Sequence, residues 1–410
     1  MTFPYRSLGV PNETPQDTRA ALIPSSVTKL KEAGLDVVVE SGAGTHAGFD
    51  DEDYRKAGAT VGSRADVLDA DVLLAVRPTS PEWDPLDDLR PGHAIVGLLD
   101  PLSHPERVRK AAERKVDAFA LDLLPRTSRA QSMDALSSSA TLVGYKAVLL
   151  AAERLPKMFP LLTTAAGTLP AAQVFVIGAA VAGLTAIATA RRLGAIVQAY
   201  DVRPAAMEEI KSVGARPLSM PATEEDAQDS SGYAKQLGEE FTRRQQAFLA
   251  DVVSGADVVV TTALIPGAPS PLLVTAEAVG RMNTGTVIVD CAAERGGNCE
   301  LTRADEVVET PNGVTILGPT ALPATLPRDA TQMYSKNVTA YLLHLMENDP
   351  GEGEPEDDIV KATLVLRGGE IVNERVLERM PEAVRPVEPL AEASRPAQSG
   401  ADTGGGSVDA

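Results

Sequence analysis

Residues 173–203 read QVFVIGAAVAGLTAIATARRLGAIVQAYDVR, and this stretch leaves the chain few folds to choose from. Residues 174–177 are a short apolar, β-rich run suited to a strand buried on both faces. Gly178, Ala179, Ala180, Val181, Ala182 and Gly183 follow as a turn, and residues 184–193 favour a helix that Gly194 stops as a C′ glycine does. A second apolar run, residues 195–200, ends on Asp201. A strand, a glycine turn, a helix and a second strand closed by a carboxylate make the layout of a dinucleotide site.

Each part of that layout has a physical task. Gly178 permits the tight turn, the helix start offers unpaired N–H groups and a positive dipole end to a pyrophosphate, and Gly183 lets helix and strand approach closely. Asp201 is placed to accept both hydroxyls of an adenosine ribose and to repel a 2′-phosphate, which favours NAD over NADP. Two positions depart from the pattern. The middle glycine of G-x-G-x-x-G is Ala180, whose methyl stands where backbone approaches phosphate and predicts weakened or displaced binding. Arg203, just beyond Asp201, is of a kind that can pair with a 2′-phosphate. The plain alternative is a βαβ unit with no ligand.

At 410 residues the chain has the length for two domains, each with its own core. A net charge of −19 argues against binding nucleic acid or an anionic membrane surface. Cys291 and Cys299 lack metal-type spacing and matching histidines, so no metal site is expected, and without a signal peptide a reducing cytoplasm is the expected compartment. Residues 169–190 carry no charge, which is long enough to suggest a membrane span. Pro170, Gln173 and the glycines fall where a nucleotide turn needs them, however, and Arg191 and Arg192 follow at once. The stretch therefore reads as strand plus helix, and no other segment is a candidate span.

Before this unit, residues 1–125 alternate helices (27–33, 50–57, 106–114) with strands (36–40, 72–76, 94–99, 117–121), which implies another parallel sheet. It has no glycine fingerprint and is expected to shape a cleft. After Asp201 come a strand at 213–218, a polar insert at 221–238, a helix at 239–254, and a strand at 258–262. A helix at 275–282, strands at 287–290 and 313–317, and a closing helix at 326–346 complete the series. The fold class expected is α/β, two Rossmann-like domains with parallel sheets, the nucleotide domain (137–324) inserted into a discontinuous first domain (1–136 and 325–348). Residues 349–380 read as an acidic linker and short hairpin, and 381–410, rich in Pro, Ala, Ser, Gly and acids, as a disordered tail.

A polar stretch, PRTSRAQSMDALSSSATLVGYK at residues 125–146, follows the strand at 117–121 and so lies at a strand's carboxyl end, where ligand sites of α/β folds form. Arg126, Arg129, Gln131, Asp134 and Ser137 cluster there ahead of a long helix expected at 142–155; residues 161–170 read as a loop leading into the nucleotide strand. Ser128, Ser132 and Asp134 also suit helix N-caps, which is the structural alternative.

Taken together, PRTSRAQSMDALSS, TTAAGTLPAAQVFVIGAAVAGLTAIATARRLGAIVQAYDVR, SGYAKQLGEEF, VVVTTALIPGAPSPLLVT and VIVDCAAERGGNCE resemble one family: the NAD-binding alpha subunits of proton-translocating NAD(P) transhydrogenases, whose nearest relatives are the alanine dehydrogenases. The resemblance runs from about residue 8 to about residue 346. It implies that Arg126, Gln131 and Asp134 are catalytic and hold the nicotinamide end, with Thr127, Ser128, Ser132, Met133 and Ser137 beside them. It further implies that Gly178, Ala180, Val181, Ala182 and Gly183 meet the pyrophosphate and that Asp201, Val202 and Arg203 meet the adenosine ribose. Gly232 and Tyr233 match a mobile loop that closes over nucleotide, and Gln245 and Leu264 line the site. By the same resemblance NAD(H) is bound directly, while NADP(H) resides on a membrane-bound partner that includes a beta subunit. The chain looks like the soluble component of a split enzyme: a homodimer with no membrane span of its own, in the cytoplasm and peripheral at the inner membrane. Ala321, in GPTALP, departs from the Asn or Asp usual in relatives.

Two alternatives stay open. An amino-acid dehydrogenase of the alanine type needs an acid–base pair, and the relatives place a lysine and a histidine where this chain has Ala75 and Asp100; Arg19 does match an arginine that holds substrate carboxylate. A non-catalytic NAD-binding regulatory subunit is favoured only by Ala180. The four histidines, His46, His93, His104 and His344, show no evident orienting partner in the sequence.

Overall fold

Apolar runs that alternate with helices become parallel strands, and the strands collect into two large sheets. The computed structural model describes residues 4–78, 83–220, 238–353 and 355–380. The first sheet contains β1 (Ser7–Val10), β2 (Asp36–Glu40), β3 (Thr60–Gly62), β4 (Val72–Leu74), β5 (Ala94–Gly97) and β6 (Asp117–Ala120). These six run parallel in the order β6-β5-β4-β1-β2-β3. The order reverses between β1 and β4, so the carboxyl ends of those strands open a crevice. Leu8, Val10, Val37, Val39, Val72 and Leu74 share one buried core with Tyr334, Val338 and Tyr341 of the closing helix (Pro327–Asn348).

The second sheet repeats the plan. Its strands are β9 (Gln173–Ile177), β10 (Ile196–Tyr200), β11 (Arg216–Leu218), β12 (Val258–Thr261), β13 (Val287–Asp290), β14 (Val307–Glu309) and β15 (Thr315–Leu317). They lie in the order β11-β10-β9-β12-β13-β15-β14, and only β14 is antiparallel. The switch point here falls between β9 and β12, beside the glycine turn. Every residue of β12 and β13 is buried, as strands covered on both faces require. The charge-free residues 169–190 resolve into the end of a hairpin, β9 and most of the nucleotide helix (Val181–Arg192).

Two local expectations are corrected and a third is extended. The long helix runs over Ala135–Arg154 and begins seven residues before the expected start at 142. Asp134 nucleates it, its carboxylate accepting the Ser137 N–H at 2.8 Å and the Ser137 hydroxyl at 2.5 Å. The small residues that follow are half-buried because this bridging helix packs on both the nucleotide helix and the closing helix. It is also the one helix among the described residues long and apolar enough to cross a membrane, a candidate beyond residues 169–190. Second, residues 161–170 are not simply a loop: β7 (Leu162–Thr164) and β8 (Gly167–Leu169) form a separate antiparallel hairpin whose residues are all exposed. Third, the strands do not end at β15: the short hairpin expected within residues 349–380 is present and adds to the first sheet. After the closing helix, β16 (Leu364–Arg367) joins β6 antiparallel and turns into β17 (Glu370–Ile371). Arg367 fastens that addition by reaching Asp117 at 3.1 Å and Asp349 at 2.5 Å. The closing helix meets the first sheet through hydrogen bonds as well. Thr331 and Ser335 accept the Ala20 and Ile23 N–H groups at 3.0 and 2.9 Å, and the Tyr334 hydroxyl donates to the Ala75 carbonyl at 2.6 Å.

Candidate functional site

The glycine turn after β9 has the geometry its sequence demands. Gly178 has φ +93°, and a Cβ there would stand 2.6 Å from the Thr262 hydroxyl oxygen, on the turn after β12. A Cβ on Gly183 would fall 1.8 Å from the Gly178 carbonyl oxygen, so the nucleotide helix lies directly against the turn. No side chain caps that helix, whose first exposed residue is Val181, and its initial N–H groups can meet an anion. Ala180, at the N-cap, has φ −77° and ψ −167°, extended backbone that needs no glycine, and it is exposed. Its methyl therefore costs no strain and acts only on whatever approaches the turn. Ala180→Gly is expected to tighten NADH binding by less than about tenfold in a fluorescence titration. An unchanged Kd would mean that the helix start already stands clear of the phosphates.

At the end of β10, where a ribose is expected, the carboxylate is already engaged. Asp201 accepts the Ala179 N–H at 2.7 Å and the Arg203 N–H at 2.8 Å, and it is paired with the Arg203 Nε at 3.0 Å. Its side chain is only 8% exposed, so ribose hydroxyls would share an occupied acceptor, and the Arg203 guanidinium lies on Asp201 instead of standing clear for a 2′-phosphate. Val202 is half-buried beside them. Gln245 is buried and donates to the Tyr200 hydroxyl at 3.0 Å, so it braces the end of β10, whereas Leu264 is exposed. Gly232 and Tyr233, with the rest of residues 221–237, lie outside the described residues, as does the acidic tail at 381–410.

The second cluster precedes the bridging helix. Arg126, Thr127, Ser128, Arg129, Gln131 and Ser132 are exposed, while Ala130 and Met133 turn inward. Asp134 and Ser137 form the cap already described, so the structural alternative for Asp134 is realised, leaving its outer lone pairs available. Gly144 of the same helix touches the nucleotide helix: a Cβ there would fall 2.0 Å from the Ala182 carbonyl oxygen. Ten residues of one rigid helix thus separate the loop from the nucleotide turn, a span of about 15 Å. The loop is tied down from the far end of the chain. Arg129 pairs with Asp357 and Asp358, each at 2.6 Å, and the Asn337 amide donates to the Ser132 carbonyl at 2.8 Å. His344 does have an orienting partner, contrary to expectation, because its Nε2 lies 2.9 Å from Asp357. Partial burial opposes ionisation of Asp357, yet bonds from His344, the Val360 N–H and Arg129 outweigh it and hold the carboxyl down at about 2.

Between the two sheets, the crevice of the first gathers Arg19 and Asp100 with charges the sequence did not single out, among them Glu13, Asp17, Asp122 and Arg77. Glu13, only 5% exposed, accepts the Val76 and Arg77 N–H groups at 2.6 and 3.0 Å, and burial with Asp17 nearby still pushes it up to about 7. Burial likewise pushes Asp122 up to about 6, although it accepts the Asp100 N–H at 2.9 Å. Arg19 is buried against Asp17 at 2.5 Å. Two ion pairs then cross to the other sheet: Arg77 with Glu294, and Arg295 with Asp100 at 2.6 Å. Asp100 holds a left-handed backbone (φ 47°), a strained conformation for a non-glycine residue, and its carboxylate is spent on Arg295. Position 75 is a buried methyl whose carbonyl serves Tyr334. Position 75 thus carries no titratable side chain, and the one at position 100 is held in an ion pair. Among the described residues no cluster of His, Cys, Asp and Glu forms a set that could hold a metal ion.

Comparison with known proteins places two family domains on the chain: alanine dehydrogenase/PNT, N-terminal domain, at residues 9–143, and alanine dehydrogenase/PNT, C-terminal domain, at residues 147–374. An NAD(P) transhydrogenase alpha-subunit polypeptide of Rickettsia prowazekii is 40% identical over 367 residues, covering 88% of this chain and 95% of that one. The solved structure of transhydrogenase from Sinorhizobium meliloti matches with a TM-score of 0.77 at 41% identity, over 90% of this chain and 99% of that one. An L-alanine dehydrogenase structure matches with a TM-score of 0.74 at 26% identity, over 91% and 98%.

Proposed function

Because the chain belongs to the alanine dehydrogenase/PNT family, we propose that it is the NAD(H)-binding alpha component of an NAD(P) transhydrogenase. In this reading it is an oxidoreductase subunit that exchanges a hydride between its own NAD(H) and NADP(H) held by a partner subunit, with the exchange coupled to proton movement across a membrane. One observation carries the choice over a dehydrogenase: Asp100, where a dehydrogenase keeps its histidine, is consumed by the Arg295 ion pair between the sheets.

The chemistry fits the residues present. The nicotinamide ring supplies or receives the hydride, and its exchange with a second nicotinamide releases no substrate proton. No general acid or base is needed; orientation and exclusion of water are. Gly178 and Gly183 let the turn and the nucleotide helix pack closely, the uncapped helix start is the proposed seat of a pyrophosphate, and Ala180, Val181 and Ala182 line it. Arg126, Gln131 and Asp134 fix the carboxamide and so choose the ring face, with Thr127, Ser128, Ser132, Met133 and Ser137 around them. Asp201, Val202 and Arg203 receive the ribose, with Gly232, Tyr233, Gln245 and Leu264 completing the enclosure. The same reading assigns residues 1–136 and 325–348 to the first domain and 137–324 to the nucleotide domain; the bonds from the closing helix to Ala20, Ile23 and Ala75 support it.

The partner is a membrane-embedded assembly with an NADP-binding beta subunit, and this chain works at its cytoplasmic face as a homodimer. The exposed β7–β8 hairpin supports the dimer: Leu161, Leu162 and Leu169 all stand in solvent, next to an open groove of about 620 Å³ lined by Leu155, Met158, Phe159 and Leu193. Replacing Leu162 and Leu169 with aspartate is expected to convert a dimer into a monomer in light scattering at micromolar concentration. A wild-type monomer under the same conditions contradicts the assembly. The function itself is tested by adding the pure chain to membranes that hold the partner subunits but lack their own NAD subunit, then following hydride transfer from NADPH to an acetylpyridine analogue of NAD. Restored transfer supports the proposal. Pyruvate-dependent NADH oxidation with ammonium would assign the chain to the dehydrogenases instead.

A further inference from the structure

We propose that Arg129 is a positioning residue of this site. By pairing with Asp357 and Asp358 it fastens residues 126–134 to the segment that follows the closing helix, and so fixes how Gln131 and Asp134 are presented. The inference rests on the transhydrogenase reading of that loop.

Burial does little to hold the loop, since six of its residues are exposed and only Ala130 and Met133 are buried. Its shape must come from discrete ties. Asp134 caps the bridging helix at one end, and Asn337 takes the Ser132 carbonyl. Arg129 supplies the tie before Gln131, and its anchor is rigid. Asp357, with its side chain 10% exposed, also accepts the Ile359 and Val360 N–H groups at 2.9 and 3.0 Å and faces His344 at 2.9 Å. That carboxylate caps the helix Asp358–Thr363 and cannot swing to follow a wandering arginine. Asp358 adds a second charge, so the guanidinium is held by two acceptors. The partners lie 228 and 229 residues apart in the chain, so any displacement of the segment after the closing helix is passed to the loop. The Arg129 side chain is 61% exposed, and such a pair contributes little to global stability. Its effect is local, on the loop whose residues must orient a ring.

The test compares Arg129→Ala, Arg129→Lys and Asp357→Asn in the full chain. Asparagine preserves the helix cap, so the last variant removes the charge and spares the fold. Three quantities are read: amide exchange across residues 126–134, NADH affinity, and hydride transfer from NADPH to acetylpyridine NAD with the partner membranes. Arg129→Ala is expected to speed loop exchange, slow transfer by about 10- to 100-fold and leave the NADH Kd within about threefold. Lysine restores part of both losses, and Asp357→Asn repeats them more weakly. Unchanged exchange and transfer in Arg129→Ala would overturn the proposal, as would a Kd that rises as much as the rate falls, which would make Arg129 a direct ligand. If the wild-type chain transfers no hydride, the functional reading fails, while the exchange comparison still decides whether Arg129 holds the loop.

Discussion

Arg126→Ala is expected to slow hydride transfer by about 10²- to 10³-fold while the NADH Kd moves by less than about threefold. The split follows from where the residue stands. Arg126 is exposed on a loop some 15 Å, measured along the bridging helix, from the turn that would hold the pyrophosphate. Most binding energy for a dinucleotide is expected from its phosphates and ribose, which the proposed site assigns to the turn and to Asp201 instead of this loop. What the loop is proposed to govern is the angle and facing of one ring, and a ring held 1 Å astray can still be bound yet react about 10²-fold more slowly. Asp134→Asn should show the same split in milder form. Asparagine caps a helix as well as aspartate does, so the bridging helix keeps its start while the charge proposed to meet the carboxamide is lost. Single-turnover transfer and equilibrium titration on the same preparations separate the two quantities. Equal losses in rate and affinity would reduce both residues to simple contacts.

Most strands of the two sheets were legible because they are locally written, whereas the short β1, β3 and β14 were not. Residues 36–40 and 287–290 are apolar runs bounded by turns, and both became strands with those limits. The glycine turn was legible for the same reason, since φ +93° at Gly178 and the contact at Gly183 are demands on single residues. Features made by distant pairings were not. The bridging helix begins in LSSSAT, which carries no apolar stripe because its neighbours are other helices on several sides; its cap at Asp134 was the only local signal. The three-residue strands of the β7–β8 hairpin bury nothing and so leave no alternation to detect. His344 finds Asp357 thirteen residues on, beyond the reach of a helix-spacing argument, and the Arg295–Asp100 pair spans 195 residues. Nothing local marks Gly144, inside the expected helix, as the residue that meets Ala182. The occupied state of Asp201 has a different cause. Its partner Arg203 sits only two residues away, but the sequence offers the arginine both a phosphate and a carboxylate to choose from, and only the fold decides.

The largest effect on binding is expected from Gly183→Ala. The added Cβ would lie 1.8 Å from the Gly178 carbonyl oxygen and 2.8 Å from its carbon, both backbone atoms that cannot rotate aside. Gly178 is itself pinned, because its N–H donates to the Tyr200 carbonyl at 2.8 Å and its left-handed φ admits no alternative residue conformation. Relief must come from the nucleotide helix moving away from the turn by more than about 1 Å, since the interior around it is close-packed. That motion withdraws the helix N–H groups from the place where a pyrophosphate would sit. The NADH Kd should rise at least about 100-fold, equivalent to about 2.7 kcal/mol, and overpacking should cost a further 1–3 kcal/mol or so of stability, visible as a lower Tm. Gly144→Ala makes the companion case. Its Cβ would meet the Ala182 carbonyl oxygen at 2.0 Å, prying the bridging and nucleotide helices apart at a residue proposed to line the pyrophosphate. Because the bridging helix carries Asp134 at its start, that variant should impair affinity and hydride transfer together, unlike Arg126→Ala, which impairs transfer alone. Ala180→Gly, in the same turn, should change affinity in the opposite direction. Wild-type NADH affinity and an unchanged Tm in Gly183→Ala would mean that the helix has room the structure does not show, and the placement of the pyrophosphate at this turn would have to be abandoned.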